Sequence, residues 1–270
     1  MSTITSLHNP HVRSALRLRD RRHRQRQDRI LIDGARELGR AIAAGVRLVE
    51  VFVCGPLCQS DEARRVVAAL AGSPARILHV TEAVFEKLAF GDRTEGVLGV
   101  AETPASALAD LRLPDRPLVA VLEGVEKPGN VGAVLRSADD AGVSAMIVAG
   151  PGTDLFNPNA IRASLGTIFT VPAAAATTAE TLAWLRRHKL AIYAARLDAA
   201  VAYTEVDYRR PAAIVLGSEA GGLSGDWSAG DVTAVRLPML GQADSLNVSA
   251  AAAVLFYEAL RQRTASPGAP

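Results

Sequence analysis

Residues 118–150 read LVAVLEGVEKPGNVGAVLRSADDAGVSAMIVAG, and this stretch decides the fold. LVAVLEG (118–124) is a short apolar run of the kind found in a strand covered on both faces. NVGAVLRSADDAG (130–142) has helical spacing and stops at Gly142, and SAMIVAG (144–150) is a second apolar strand. Downstream, NPNAIRASLG predicts a short helix, TIFTVP a strand and TAETLAWLRRHK a helix; LAIYAA, AAIVLG and TAVRLP add strands. A long helix follows from about Ser245 to Arg263. Strands this apolar, alternating with helices, imply an α/β domain with a parallel sheet buried between helical layers.

The upstream half alternates as well. DGARELGRAIAAG predicts a helix ending at Gly45, and RLVEVFV a strand. Ser60 precedes the helix DEARRVVAAL, RILHV is a strand, Thr81 opens the helix EAVFEKLAF, which stops near Gly91, and GVLGVAE is a strand. Residues 1–102 therefore form a small α/β domain of their own. TPASALADLRLPDRP (103–117) carries Pro104, Pro114 and Pro117 and is the expected linker. The second domain spans 118–264, and 265–270 form an expected disordered tail.

Composition narrows the class. The 270 residues are 49% hydrophobic, yet no apolar run approaches the eighteen or so that a membrane span requires, so no membrane partner is expected. Cys54 and Cys58 lack a second Cys or His pair at zinc spacing, which predicts reduced thiols and no metal. The start has no apolar core of a secretory signal, which makes the cytoplasm the expected compartment. Residues 1–40 hold ten Arg against Asp20, Asp28, Asp33 and Glu37, a local charge of +6 inside an overall +2. Arginine forks phosphate well, so an anionic partner for the N-terminus is expected. Aromatics are scarce, so a nucleic acid would be held through backbone and shape rather than by stacking.

Unusual residues gather in three loops that leave the C-terminal ends of predicted strands, where open parallel sheets bind ligands. These are EGVEKPGNVGAVLR (123–136), GSEAGGLS (217–224) and LPMLGQADSLNVS (237–249). Their glycines allow close backbone approach, and their polar groups exceed what a turn needs. The chain has no G-x-G-x-x-G dinucleotide loop, no G-x-x-x-x-G-K-[ST] and no G-x-S-x-G elbow, and none of its five His falls in these loops. Dinucleotide binding, nucleotide hydrolysis through a P-loop and a Ser-His-Asp hydrolase are all disfavoured.

Together the loops resemble the three motifs of the SpoU (TrmH-type) RNA ribose methyltransferases of the SPOUT class. Asn130, Gly132 and Arg136 match N-x-G-x-x-x-R; Gly217, Glu219 and Gly222 match G-x-E-x-x-G; Pro238, Met239 and Ser245 to Ser249 match P-M…S-L-N-V-S. NPNAIRASLGTIFTVP (157–172) is similar to a further family segment, and the first 100 residues resemble, more loosely, its RNA-binding domain. The resemblance implies methyl transfer from S-adenosylmethionine to a ribose 2′-hydroxyl of RNA, ribosomal RNA by preference. It also implies a C-terminal trefoil knot and a site built at a homodimer interface. Implied catalytic residues are Asn130, Arg136, Glu219, Ser245 and Asn247; implied cofactor contacts are Gly217, Leu237, Pro238, Ser245, Leu246 and Asn247.

Several readings stay open on the residues alone. Ser245 and Asn247 stand where the last helix begins and can cap it or touch a ligand. Glu219 can hold Arg136 or the substrate by a charged hydrogen bond. A guanidinium keeps its proton to above about pH 12, so Arg136 fits orientation of a phosphate and stabilisation of an alkoxide better than proton acceptance. Rival functions are a transfer RNA 2′-O-methyltransferase, a non-catalytic RNA-binding ribosome-assembly factor and a nucleotide-dependent metabolic enzyme.

Overall fold

A computed structural model describes residues 3–90, 95–150, 154–219, 221–242 and 245–265. The chain divides into two compact units, one made of the chain up to Pro104 with Phe156–Thr170, the other of Ala105–Leu155 with the chain from Val171.

The first unit begins with α1 (Pro10–Arg17) and α2 (Arg21–Gln27), capped by the side chains of Asn9 and Asp20. It continues through β1 (Arg29–Asp33), α3 (Ala35–Ala43), β2 (Leu48–Val53), α4 (Asp61–Ala69), β3 (Arg76–His79), α5 (Glu82–Leu88) and β4 (Val97–Glu102). The sheet order is β1-β4-β2-β3, with β4 antiparallel to both neighbours and β2 parallel to β3. Phe52, Phe85, Leu31, Leu98 and Leu18 fill its core. Ser60 caps α4 as expected, its hydroxyl accepting from the Ala63 amide at 3.1 Å. The expected stop near Gly91 and the tail beyond Ala265 lie outside the described residues.

The second unit runs through β5 (Leu118–Glu123), α6 (Pro128–Asp140) and β6 (Ala145–Ala149). After α7 (Pro158–Ala163), which packs in the first unit, come β7 (Ala173–Ala176), α8 (Thr178–Arg187), β8 (Ala191–Ala195) and β9 (Val201–Ala202). β10 (Ala212–Leu216), β11 (Val232–Arg236) and α9 (Val248–Thr264) complete it. Its seven strands are ordered β7-β6-β5-β10-β8-β11-β9, and every pairing is parallel. All residues of the central β5 and β10 are buried, which is why both read as unbroken apolar runs. No helix among the described residues is long and apolar enough to cross a membrane.

Two expectations need correction. TIFTVP is not a strand: Thr167–Phe169 form one turn of 3-10 helix. Gly166 takes φ +84°, the Thr167 hydroxyl donates to Ser164 O at 2.9 Å, and the Thr170 hydroxyl donates to Thr167 O at 3.0 Å. These local side-chain bonds outcompete the ladder that β-branched alternation suggests. The last helix starts at Val248 rather than near Ser245, because Asn247 takes the cap and accepts from the Ser249 amide at 3.0 Å. The strands β1, β7 and β9 and the helices α1 and α2 were not anticipated from the sequence.

Candidate active site

Because β5, β8, β10 and β11 are parallel neighbours, their C-terminal ends share one edge of the second unit's sheet, and the three singled-out loops leave from it. Asn130 sits in the first turn of α6, Glu219 three residues beyond β10, and Asn247 at the cap of α9. They meet. The Asn130 amide donates to Glu219 Oε1, and the Asn247 amide nitrogen lies 3.2 Å from the same oxygen and 3.4 Å from Asn130 Oδ1. Asn247 Oδ1 is used at the helix start, accepting from the amide of Ser249 at 3.0 Å and its hydroxyl at 2.6 Å. One side chain thus caps α9 and ties it to the two other loops.

Beside this cluster lies a cleft of about 430 Å³ whose lining includes Gly217, Glu219, Leu237, Ser245 and Leu246. Leu216, Leu223 and Met239 give it apolar walls. Its size falls in the range of small-molecule sites. Pro238, Asn130, Asn247 and Arg136 do not line it. Ala220, Ala243 and Asp244 lie outside the described residues.

Gly217 is where backbone must come close. A Cβ there would stand 2.2 Å from the Gly222 carbonyl carbon and 2.6 Å from the Leu223 nitrogen, so no side chain fits. The loop folds back on itself through Ser218 N to Gly222 O at 3.2 Å and Gly222 N to Ser218 O at 3.0 Å, with Gly222 at φ +64°. Glu219 is carried out toward Asn130 and Asn247, and Arg136 is not among its partners. Arg136 is exposed on α6 with no side-chain hydrogen bond or ion pair among the described residues.

Glu123 escaped the sequence reading. It ends β5, is 7% exposed, and accepts from the Ser224 amide at 2.7 Å, the Ser224 hydroxyl at 2.9 Å and the Thr178 hydroxyl at 2.7 Å. Burial works to raise its carboxyl pKa, but these hydrogen bonds outweigh it and hold the group below the ordinary carboxylate range. The ionised side chain pins the far end of the 217–224 loop to β5 and α8. Its only signal in the sequence is an acid closing an otherwise apolar run.

In the first unit, the arginines of the N-terminus divide into two kinds. Arg19 donates to the carbonyls of Lys87, Leu88 and Ala89 at 2.7, 3.1 and 2.8 Å, closing the end of α5. Arg24, 4% exposed, donates to Leu18 O at 2.6 Å and Arg19 O at 2.8 Å. Arg13, Arg17, Arg22 and Arg26 are exposed and make no side-chain hydrogen bond or ion pair among the described residues.

Comparison with known proteins decides the family. The model of the SpoU rRNA Methylase family matches residues 117–257, more than half of the chain. The chain belongs to the SpoU rRNA methylase family. A second model, the MRM3-like substrate binding domain, matches residues 9–99 of this SpoU methylase. It is 28% identical over 255 residues to the 23S rRNA (uridine(2479)-2'-O)-methyltransferase of Streptomyces viridochromogenes, covering 91% of this chain and 87% of the relative. Among solved structures, an RNA 2'-O ribose methyltransferase is 44% identical with a TM-score of 0.85, covering 97% of this chain and 99% of the other. The AdoMet-bound rRNA methyltransferase from Sinorhizobium meliloti is 29% identical with a TM-score of 0.87, covering 96% and 97%.

Proposed function

We propose that this SpoU methylase transfers a methyl group from S-adenosylmethionine to a ribose 2′-hydroxyl of ribosomal RNA, acting in the cytoplasm as a homodimer. The observation that carries the reading is the joining of Asn130, Glu219 and Asn247 beside a cleft floored by Gly217. Relatives named as 23S rRNA 2'-O-methyltransferases support the choice of ribosomal RNA.

The cleft fits the cofactor. Gly217, whose missing side chain lets the 217–224 loop close on itself, lines the cleft, and Leu237 and Leu246 supply the apolar surface that adenine needs. When bound, S-adenosylmethionine supplies an electrophilic methyl on a sulfonium, so the protein has only to align the acceptor and manage one proton. Ser245 and the Asn130–Glu219–Asn247 cluster hold the reacting end in place. Arg136, with its donors uncommitted among the described residues, orients the substrate phosphate and stabilises charge developing on the attacking oxygen. In this reading residues 1–102 bind RNA, 103–117 link, and 118–264 carry the chemistry and the C-terminal trefoil knot. The exposed Val254 and Tyr257 on α9 suit a dimer contact.

Radiolabelled S-adenosylmethionine with purified ribosomal and transfer RNA tests this reading. Label is expected in ribosomal RNA, in a dinucleotide that resists alkaline cleavage. Label confined to bases or to transfer RNA, or no transfer at all, contradicts it.

A further inference from the structure

Beyond the expected contacts, the cleft has a polar wall contributed by the end of β8, a strand outside all the motifs. Arg196 and Asp198 both line the cleft there. Arg196 grips Asp198 with a fork, Nε to Oδ1 and Nη2 to Oδ2, both at 2.9 Å. Its remaining Nη1 donates to Ser228 Oγ at 2.6 Å, and its backbone amide donates to Val235 O at 2.9 Å. The carboxylate is therefore held in one orientation by a brace tied to two other segments. Each oxygen still has a free lone pair, because the fork occupies only one per oxygen, and the Asp198 side chain is 70% exposed.

Strand order fixes which part of a ligand this acceptor meets. Across the sheet edge the order is β5, β10, β8, β11. The cluster of Asn130 and Glu219 hangs from β5 and β10, Asp198 follows β8, and Leu237 follows β11. Neighbouring strands are about 4.8 Å apart, and a sulfonium is separated from its own ribose 3′-hydroxyl by four single bonds and from the 2′-hydroxyl by five, roughly 4–6 Å. A donor whose methyl end met the cluster would bring its sugar nearest the end of β8 and its adenine toward Leu237 and Leu246.

We infer that Asp198, braced by Arg196, accepts hydrogen bonds from the ribose 2′- and 3′-hydroxyls of the bound methyl donor. The inference deepens the proposed function and rests on the cleft being the S-adenosylmethionine site. A carboxylate already neutralised by a guanidinium suits neutral hydroxyl donors better than the ammonium of the methionyl tail, which leaves the sulfur away from the sugar. Asp198 is thus a binding residue that selects the ribose form of the ligand.

Isothermal titration calorimetry on the full chain tests it with two probes, S-adenosylhomocysteine and its 2′,3′-dideoxy analogue. Wild type is expected to bind the dideoxy probe about tenfold or more weakly, the worth of a charged hydrogen bond. Asp198→Ala and Asp198→Asn bind S-adenosylhomocysteine more weakly than wild type, and in Asp198→Ala the preference between the probes disappears. Equal binding of both probes by wild type overturns the inference without needing a variant. So does a preference that persists in a folded Asp198→Ala. Absence of S-adenosylhomocysteine and S-adenosylmethionine binding by wild type instead overturns the reading of the cleft itself, so the two failures are distinct.

Discussion

The Asn247 side-chain amide reaches Glu219 Oε1 at 3.2 Å, although the two residues stand 28 positions apart and belong to different loops. Asn130, 89 positions before Glu219, donates to the same oxygen. One carboxylate thus sets the relative positions of three loops. Glu219→Ala removes the shared acceptor, taking the partner of the Asn130 amide and leaving Asn247 only its 3.4 Å contact with Asn130, so initial rates at saturating cofactor are expected to fall about 100-fold. Glu219→Gln keeps an oxygen in place and should retain more activity than the alanine variant. Equal rates for Glu219→Ala and wild type contradict the role.

Gly217→Ala is expected to be severe for a steric reason, since the new methyl would lie 2.2 Å from the Gly222 carbonyl carbon. The hairpin must open to admit it, which deforms the floor of the cleft. Cofactor affinity should drop at least tenfold on top of a stability loss of about 1–3 kcal/mol. Calorimetry and thermal unfolding read the two effects separately.

The N-terminal arginines make opposite predictions. Replacing Arg13, Arg17, Arg22 and Arg26 together by Gln should leave the melting temperature nearly unchanged, because none of these exposed side chains is committed within the described residues. RNA affinity should fall, and its dependence on salt should flatten. Arg24→Gln should instead lower the melting temperature, because two carbonyl contacts, one buried and one partly buried, are lost. Filter binding across a salt series, paired with melting curves, separates the two groups.

A pH signature is expected from Asp33. Its carboxyl is 3% exposed, and burial raises its pKa to about 6 despite the Phe90 amide and Arg162 beside it. The folded state therefore holds this proton more tightly than the unfolded chain. Its contribution to stability is full below about pH 4 and is lost as the pH rises through about 6, by up to roughly 3 kcal/mol. Wild type should lose stability relative to Asp33→Asn between pH 4.5 and pH 7 in denaturant titrations. Parallel curves for the two proteins contradict the assignment.

Legibility followed burial. LVAVLEG and SAMIVAG could be read as central strands because both faces of each are covered, leaving no polar alternation to confuse. β7 could not, since Ala173–Ala176 has no strand preference and is extended only through its pairing with β6. TIFTVP misled because threonine is both a strand former and a local hydrogen-bond donor, and Gly166 settled the matter for the turn. In the site, Asn130, Glu219 and Asn247 were visible as motif residues, but their mutual contact was not. Glu123, Arg196 and Asp198 were invisible, because their value depends on the strand order β5-β10-β8-β11, which no local pattern encodes.

The most direct test of the account is a map of ribose 2′-O-methylation over total RNA from cells lacking this protein, complemented with wild type or with Arg136→Lys. The lysine keeps the charge and loses the planar fork. The account predicts one or a few ribosomal sites that vanish without the protein, return with wild type, and stay at least tenfold depleted with a folded, cofactor-binding Arg136→Lys. An unchanged methylation map on loss of the protein, or full restoration by the lysine variant, would contradict it.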